Sequence, residues 1–188
     1  MTDLQGTRRA ALAGLFGAWA APRPARAAAG PEKLREAVVP LPPLTFTDAD
    51  GVAKSLGDYA GRALIINLWA TWCPPCVAEM PALDRLQAML RGEGFSVLPL
   101  SSDRGGAAVV RAFYERIGVT NLPVLLDPRG VAARALGSRG LPTSIIVNRR
   151  GQEVARVEGD VAWDSPPMVA ALRRLAPAIA GPRASDPA

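Results

Sequence analysis

Ala63 to Leu68 form an apolar run interrupted only by Asn67, the pattern of a central strand covered on both faces. From Pro74 to about Arg91 the spacing changes. Val77, Met80, Leu83, Leu86, Met89 and Leu90 recur at helical intervals, with Glu79, Asp84, Arg85 and Gln87 between them. Gly92 and Gly94 are expected to end this helix. Pro81 falls inside it, where a proline removes one backbone hydrogen bond and bends the axis. A helix stopping at Met80 is the alternative, against an apolar period that continues beyond it. Strands at Phe95 to Leu100 and Pro123 to Leu126 alternate with helices at Ala107 to Ile117 and Val131 to Leu136, the βαβ pattern of a parallel or mixed sheet. Leu44 to Thr47 and Val52 to Leu56 flank Asp48-Ala49-Asp50-Gly51 and predict one hairpin. Thr143 to Val147 and Gln152 to Val157, joined by Asn148-Arg149-Arg150-Gly151, predict a second. A last helix runs from Pro166 to Ala176, capped by Asp164 or Ser165, with Pro166 and Pro167 in its first turn.

These elements make one α/β unit over 41–176, a central mixed sheet flanked by helices. Residues 28–40, rich in Ala and Pro, read as a spacer with a short helix at Pro31 to Val38. Residues 177–188, with three prolines and a glycine, read as a disordered tail. A chain of 188 residues, 49% of them hydrophobic, suits one core rather than several domains.

The net charge of +5 would hint at nucleic acid if it were spread over the fold. It is not. Arg8, Arg9, Arg23 and Arg26 stand against Asp3 alone in the first 27 residues, and the remainder carries 18 basic and 16 acidic residues. With 5% aromatics and no basic run alternating with them, a nucleic-acid partner is not expected. Residues 1–27 instead have the form of an export signal. Arg8-Arg9 precede a weakly apolar run, Ala10 to Ala21, and Ala25-Arg26-Ala27 offers a small-x-small cleavage site. The run is shorter than the ~20 residues that span a bilayer. Thr7-Arg8-Arg9 resembles the core of a twin-arginine signal, and the pattern does not choose between that route and general secretion. A disordered Ala/Arg/Pro leader and an uncleaved anchor helix are the alternatives.

The only cysteines are Cys73 and Cys76, in Trp72-Cys73-Pro74-Pro75-Cys76. A structural zinc takes four Cys or His ligands, and the chain has no histidine. As a structural staple, a disulfide closing so small a loop restricts the unfolded chain very little. A redox pair needs one accessible thiol with thiolate character and a second within reach to resolve the mixed disulfide, and this spacing at a helix start supplies both. Cys73, at the positive end of the helix, is then the nucleophile, and Cys76, further in and of higher pKa, resolves. Pro74 and Pro75 suit the first helical turn, but each removes an N–H that could face a thiolate. That argues against extreme acidification of Cys73, and so for a reductant or a middling exchanger rather than a strong oxidant.

Three segments in order, Asn67-Leu68-Trp69-Ala70-Thr71-Trp72-Cys73-Pro74-Pro75-Cys76, Glu79-Met80-Pro81 and Gly140-Leu141-Pro142-Thr143, make the chain from Leu41 to Ala176 resemble exported thioredoxin-like proteins of the TlpA/ResA type. The resemblance implies a thioredoxin-like fold with an added N-terminal β-hairpin (Leu44 to Leu56) and a central αβ insertion (about Gly105 to Leu126). It implies that Glu79, on the helical face of Cys76, is its proton acceptor, with Asn67 where ordinary thioredoxin has a buried aspartate; a solvated helix glutamate is the alternative. It further implies a cis bond at Leu141–Pro142, which would put the backbone of Leu141 beside Cys73 for a substrate segment to pair with as an added strand. Trp72 is expected to cover the disulfide and touch substrate; Trp69 serves equally well as core.

The function expected is a periplasmic protein-disulfide reductase, monomeric and without bound cofactor or metal, its redox group being the Cys73/Cys76 dithiol. The family implies a membrane electron donor of the DsbD/CcdA kind and protein disulfide substrates met in cytochrome c maturation or copper-site assembly. A copper chaperone using the same pair and a thiol peroxidase are the alternatives, the latter lacking a cysteine outside the C-x-x-C pair.

Overall fold

The computed structural model describes residues 30–178. The expected signal segment, 1–27, and the tail beyond Ala178 lie outside the described residues. The strands are β1 (Arg35–Pro40), β2 (Thr45–Asp48), β3 (Ala53–Ser55), β4 (Ala63–Trp69), β5 (Phe95–Ser101), β6 (Leu125–Leu126), β7 (Thr143–Val147) and β8 (Gln152–Glu158). The helices are α1 (Pro74–Leu90), α2 (Gly106–Ile117), α3 (Val131–Ala135) and α4 (Pro166–Leu175). The strands form one eight-stranded mixed sheet in the order β1-β8-β7-β4-β5-β6-β2-β3.

The two-residue period of β4 divides the core. Ala63, Ile65 and Trp69 join α1, α2 and α4 on one face, whereas Leu64, Ile66 and Leu68 meet Leu44, Phe46, Ala132 and Leu136 on the other. Asn67, an odd-numbered position, therefore falls on the α1 face. β4 pairs in parallel with β5 and antiparallel with β7, which sets Asn67 directly opposite Ser144. The N-terminal hairpin docks through β2 onto β6, so the two additions to the basic fold stabilise each other.

Two expectations need correction. Within the expected spacer, residues 30–40 are not plain linker, and Pro31 to Val38 is not an α-helix: after a 3-10 turn at Pro31–Lys33, the chain enters β1, which pairs antiparallel with β8 at the sheet edge. Every residue of β1 is exposed, so ladder hydrogen bonds rather than burial hold it. The second concerns α1. It continues through Pro81 to Leu90, but its supposed polar face is largely interior: Glu79, Asp84 and Gln87 are buried, and Met89 is exposed.

Asp84 shows why such residues are tolerated. Its Oδ1 accepts the backbone N–H groups of Thr120, Asn121 and Leu122 at 3.1, 2.6 and 3.2 Å, and its Oδ2 accepts Asn121 Nδ2 at 2.9 Å. One carboxylate thus fastens the α2–β6 connection to α1. Asp84→Ala would leave those donors without an acceptor and is expected to lower unfolding free energy by about 3 kcal/mol in urea denaturation; a loss below about 1 kcal/mol would contradict this role.

Candidate active site

The site forms where β4 runs out at the end of the sheet. Ala70 to Trp72 make a short loop, and Cys73 caps α1 with Pro74 and Pro75 as its first residues. The loop is tied down twice. Ser102 N–H donates to Trp69 O at 2.9 Å, and the buried Asp103 accepts Thr71 N–H at 2.9 Å and Thr71 Oγ1–H at 2.7 Å. Ser101 Oγ–H in turn donates to Asp103 Oδ2 at 2.7 Å. Asp103 therefore positions the residues just before the cysteines.

Cys73 and Cys76 are joined as a disulfide, their Cα atoms 5.3 Å apart. Both are buried in the disulfide form, Cys73 at 5% exposure and Cys76 at 0%, so what little of the pair reaches the surface belongs to Cys73. Trp72 is 68% exposed and stands beside the disulfide in the chain, while Trp69 is core, stacked on Tyr114 at 5.8 Å and packed against Phe113 at 5.3 Å. Of the first-turn N–H groups, Pro74 and Pro75 have none, and that of Val77 is used by Cys73 O at 3.0 Å.

Glu79 lies one helical turn beyond Cys76 and is 3% exposed, which excludes the solvated alternative. It points at the sheet. Asn67 Nδ2 donates to Oε1 at 2.8 Å and Trp163 Nε1 to Oε2 at 2.9 Å; Asn67 Nδ2 also donates to Ser144 Oγ at 2.9 Å. Burial pushes the Glu79 carboxyl up to about 7, against the pull of Trp163, Asn67 and the backbone N–H of Val161, with Asp160 adding to the rise.

The Leu141–Pro142 bond is cis. Because Thr143 pairs with Leu68, the residues before Thr143 and those after Trp69 project past the same end of the sheet. Leu141 and the cysteines thus share one rim. Among the described residues no group of three or more His, Cys, Asp or Glu is placed to hold a metal ion.

Comparison with known proteins agrees with this geometry. The family model described as Redoxin matches residues 36–172. The chain belongs to the Redoxin family. It is 29% identical over 119 residues to the thiol-disulfide oxidoreductase ResA of Bacillus thuringiensis subsp. konkukian, covering 63% of this chain and 68% of the relative. It is 31% identical over 111 residues to ResA of Geobacillus kaustophilus, covering 59% and 63%. Among solved structures, a Chlorobium tepidum protein named as thiol:disulfide interchange protein DsbE superposes with a TM-score of 0.61 at 25% identity, over 75% of this chain and 94% of its own. The exposed lipoprotein thioredoxin Etrx1 of Streptococcus pneumoniae TIGR4 does so with a TM-score of 0.60 at 27% identity, over 71% and 99%. The chain is a thiol-disulfide oxidoreductase on a thioredoxin-like fold.

This member of the Redoxin family holds three site residues that sequence reading passes over. Trp163 and Ser144 complete the surroundings of Glu79, and Asp103 anchors the loop. A faint signal existed for one. Ser144, like Asn67, is a polar residue inside an apolar central strand, and two such interruptions must find each other or another partner.

Proposed function

We propose that the chain is an exported protein-disulfide reductase in which Cys73 attacks, Cys76 resolves and Glu79 handles the proton. The observation that carries this reading is the asymmetry of the pair, an outer Cys73 and a fully enclosed Cys76, with a buried carboxyl one turn beyond. The Cys73 thiolate attacks one sulfur of a substrate disulfide, the substrate S–S bond breaks, and one substrate thiolate leaves. Cys76 then passes its proton to Glu79 and attacks Sγ of Cys73. That bond displaces the second substrate thiolate and leaves the Cys73–Cys76 disulfide, so two electrons have moved to the substrate. No resident cofactor or metal takes part, and a monomer suffices. Trp72 and the backbone of Leu141 receive the substrate segment, main chain against main chain.

The direction of transfer rests on Pro74 and Pro75, which strip the helix start of donors that would stabilise a thiolate on Cys73. The form with a free dithiol is then a good electron donor. Re-reduction requires an outside source, and a membrane protein of the DsbD/CcdA kind fits a periplasmic location reached through the N-terminal signal. Apocytochrome c or a copper-site protein is the proposed acceptor. The test has two parts. Equilibration with glutathione buffers should give a reduction potential far below that of strong periplasmic oxidants, which stand near −120 mV. Cys76→Ala should hold a thiol protein from periplasmic extract as a mixed disulfide on Cys73. A potential close to the strong-oxidant value would reverse the direction, and stoichiometric copper retention without disulfide reduction would favour the metal-holding alternative.

A further inference from the structure

Glu79 is gripped from two sides by groups of different hydrogen-bonding character. Trp163, buried in the loop between β8 and α4, has only an indole N–H to offer, and it points at Oε2 from 2.9 Å. A donor-only partner favours an oxygen that accepts, which a carboxylate always provides. A protonated carboxyl must turn its own O–H away from Trp163.

The Asn67 arm is different. Its Nδ2 serves both Glu79 and Ser144, while Oδ1, fully buried, has no partner among the described residues. Turned over, the amide would present Oδ1 to a proton on Glu79, and the Ser144 hydroxyl can give a hydrogen as readily as take one. Asn67 and Ser144 can therefore change role with the protonation state of Glu79, whereas Trp163 can only donate and binds the charged carboxylate more strongly than the neutral acid. The other charged group acting on the carboxyl is Asp160, on the same loop as Trp163, and no cation among the described residues pairs with it.

We infer that Trp163 is a positioning residue for the redox site, its indole N–H holding the Glu79 carboxylate in place and so letting the loop after β8 decide when the proton partner of Cys76 carries charge. The inference rests on the reading of Glu79 as that partner, and the experiment separates the two. Full-length protein carrying 13C-labelled Glu and 15N-labelled Trp would be titrated by NMR, reduced and oxidised.

In the unmodified protein the Trp163 indole resonance should shift with the same midpoint as the Glu79 carboxyl. That of Trp69, whose Nε1 has no partner among the described residues, should stay flat as an internal control. A Trp163 resonance that is flat through the Glu79 midpoint would overturn the inference without any variant being made. Trp163→Phe should move the Glu79 midpoint upward by about one to two pH units, the loss expected on removing one hydrogen bond to a charged group. Ser144→Ala should move it by less than about half as much. Equal movement in both variants would mean general loosening of the pocket and would also overturn it. If the midpoint moves as expected but the pH profile of Cys76 alkylation does not follow, the clamp stands and the proton-acceptor reading falls.

Discussion

Cys73→Ala is expected to slow the reaction of the reduced protein with Ellman's reagent by at least about a thousandfold, whereas Cys76→Ala should react at nearly the native rate and stop halfway. The asymmetry follows from placement. Cys73 holds the exposed side of the pair, while Cys76 is wholly enclosed. Both cysteines belong to the core cluster that includes Trp69 and Met80, and only Cys73 keeps any exposure, 5%. A reagent can reach Cys76 only if the first turn of α1 opens, and that turn is secured by Val77 N–H on Cys73 O at 3.0 Å. The native dithiol should release two equivalents of the chromophore, the first by attack of Cys73 and the second when Cys76 resolves the mixed disulfide. Cys76→Ala should release one equivalent and retain the other on Cys73, visible as a mass increase. Comparable rates for the two single variants would remove the assigned order of attack.

The cysteine pair was legible because its evidence is local: two residues three apart, after an apolar strand and before a helical period. The rest of the site was legible only by halves. The spacing of Glu79 from Cys76 places it on a shared helical face, yet its burial depends on the wall opposite, and that wall comes from 12 residues back in Asn67 and 84 residues ahead in Trp163. No local window contains both. α1 misleads for the same reason, since its polar positions are covered by the sheet on one side and by the Asp84-bound connection on another. β1 escaped notice for the opposite reason. An edge strand exposed along its whole length has no alternating burial to reveal it, and Arg35-Glu36-Ala37 carries no strand preference of its own. Only pairing with β8, more than a hundred positions later, makes it a strand.

Glu79 also leads to a stability prediction, because a carboxyl held near 7 in the native state and at an ordinary 4.5 when unfolded links folding to pH. Below about pH 4.5 both states hold the proton and the site costs nothing extra. As pH rises toward 7 the unfolded chain loses its proton first, the native state binds more protons, and stability falls. Above about pH 7 both are charged and the full cost, about 3 kcal/mol, persists. In urea denaturation the stability of Glu79→Gln relative to the native protein should therefore grow by about that amount between pH 4 and pH 8. Any constant offset should be small, because the Gln carbonyl can keep the Trp163 N–H while its own N–H donates to a turned Asn67 Oδ1. The slope carries the test; parallel curves would mean that Glu79 titrates normally in the folded protein. The buried carboxyl would then be charged throughout the neutral range and unable to take the Cys76 proton. A carboxyl half-charged near neutral pH can both take that proton and give it up, so the destabilisation and the proposed chemistry have one origin in the burial of Glu79, which its hydrogen bonds to Trp163 and Asn67 only partly offset.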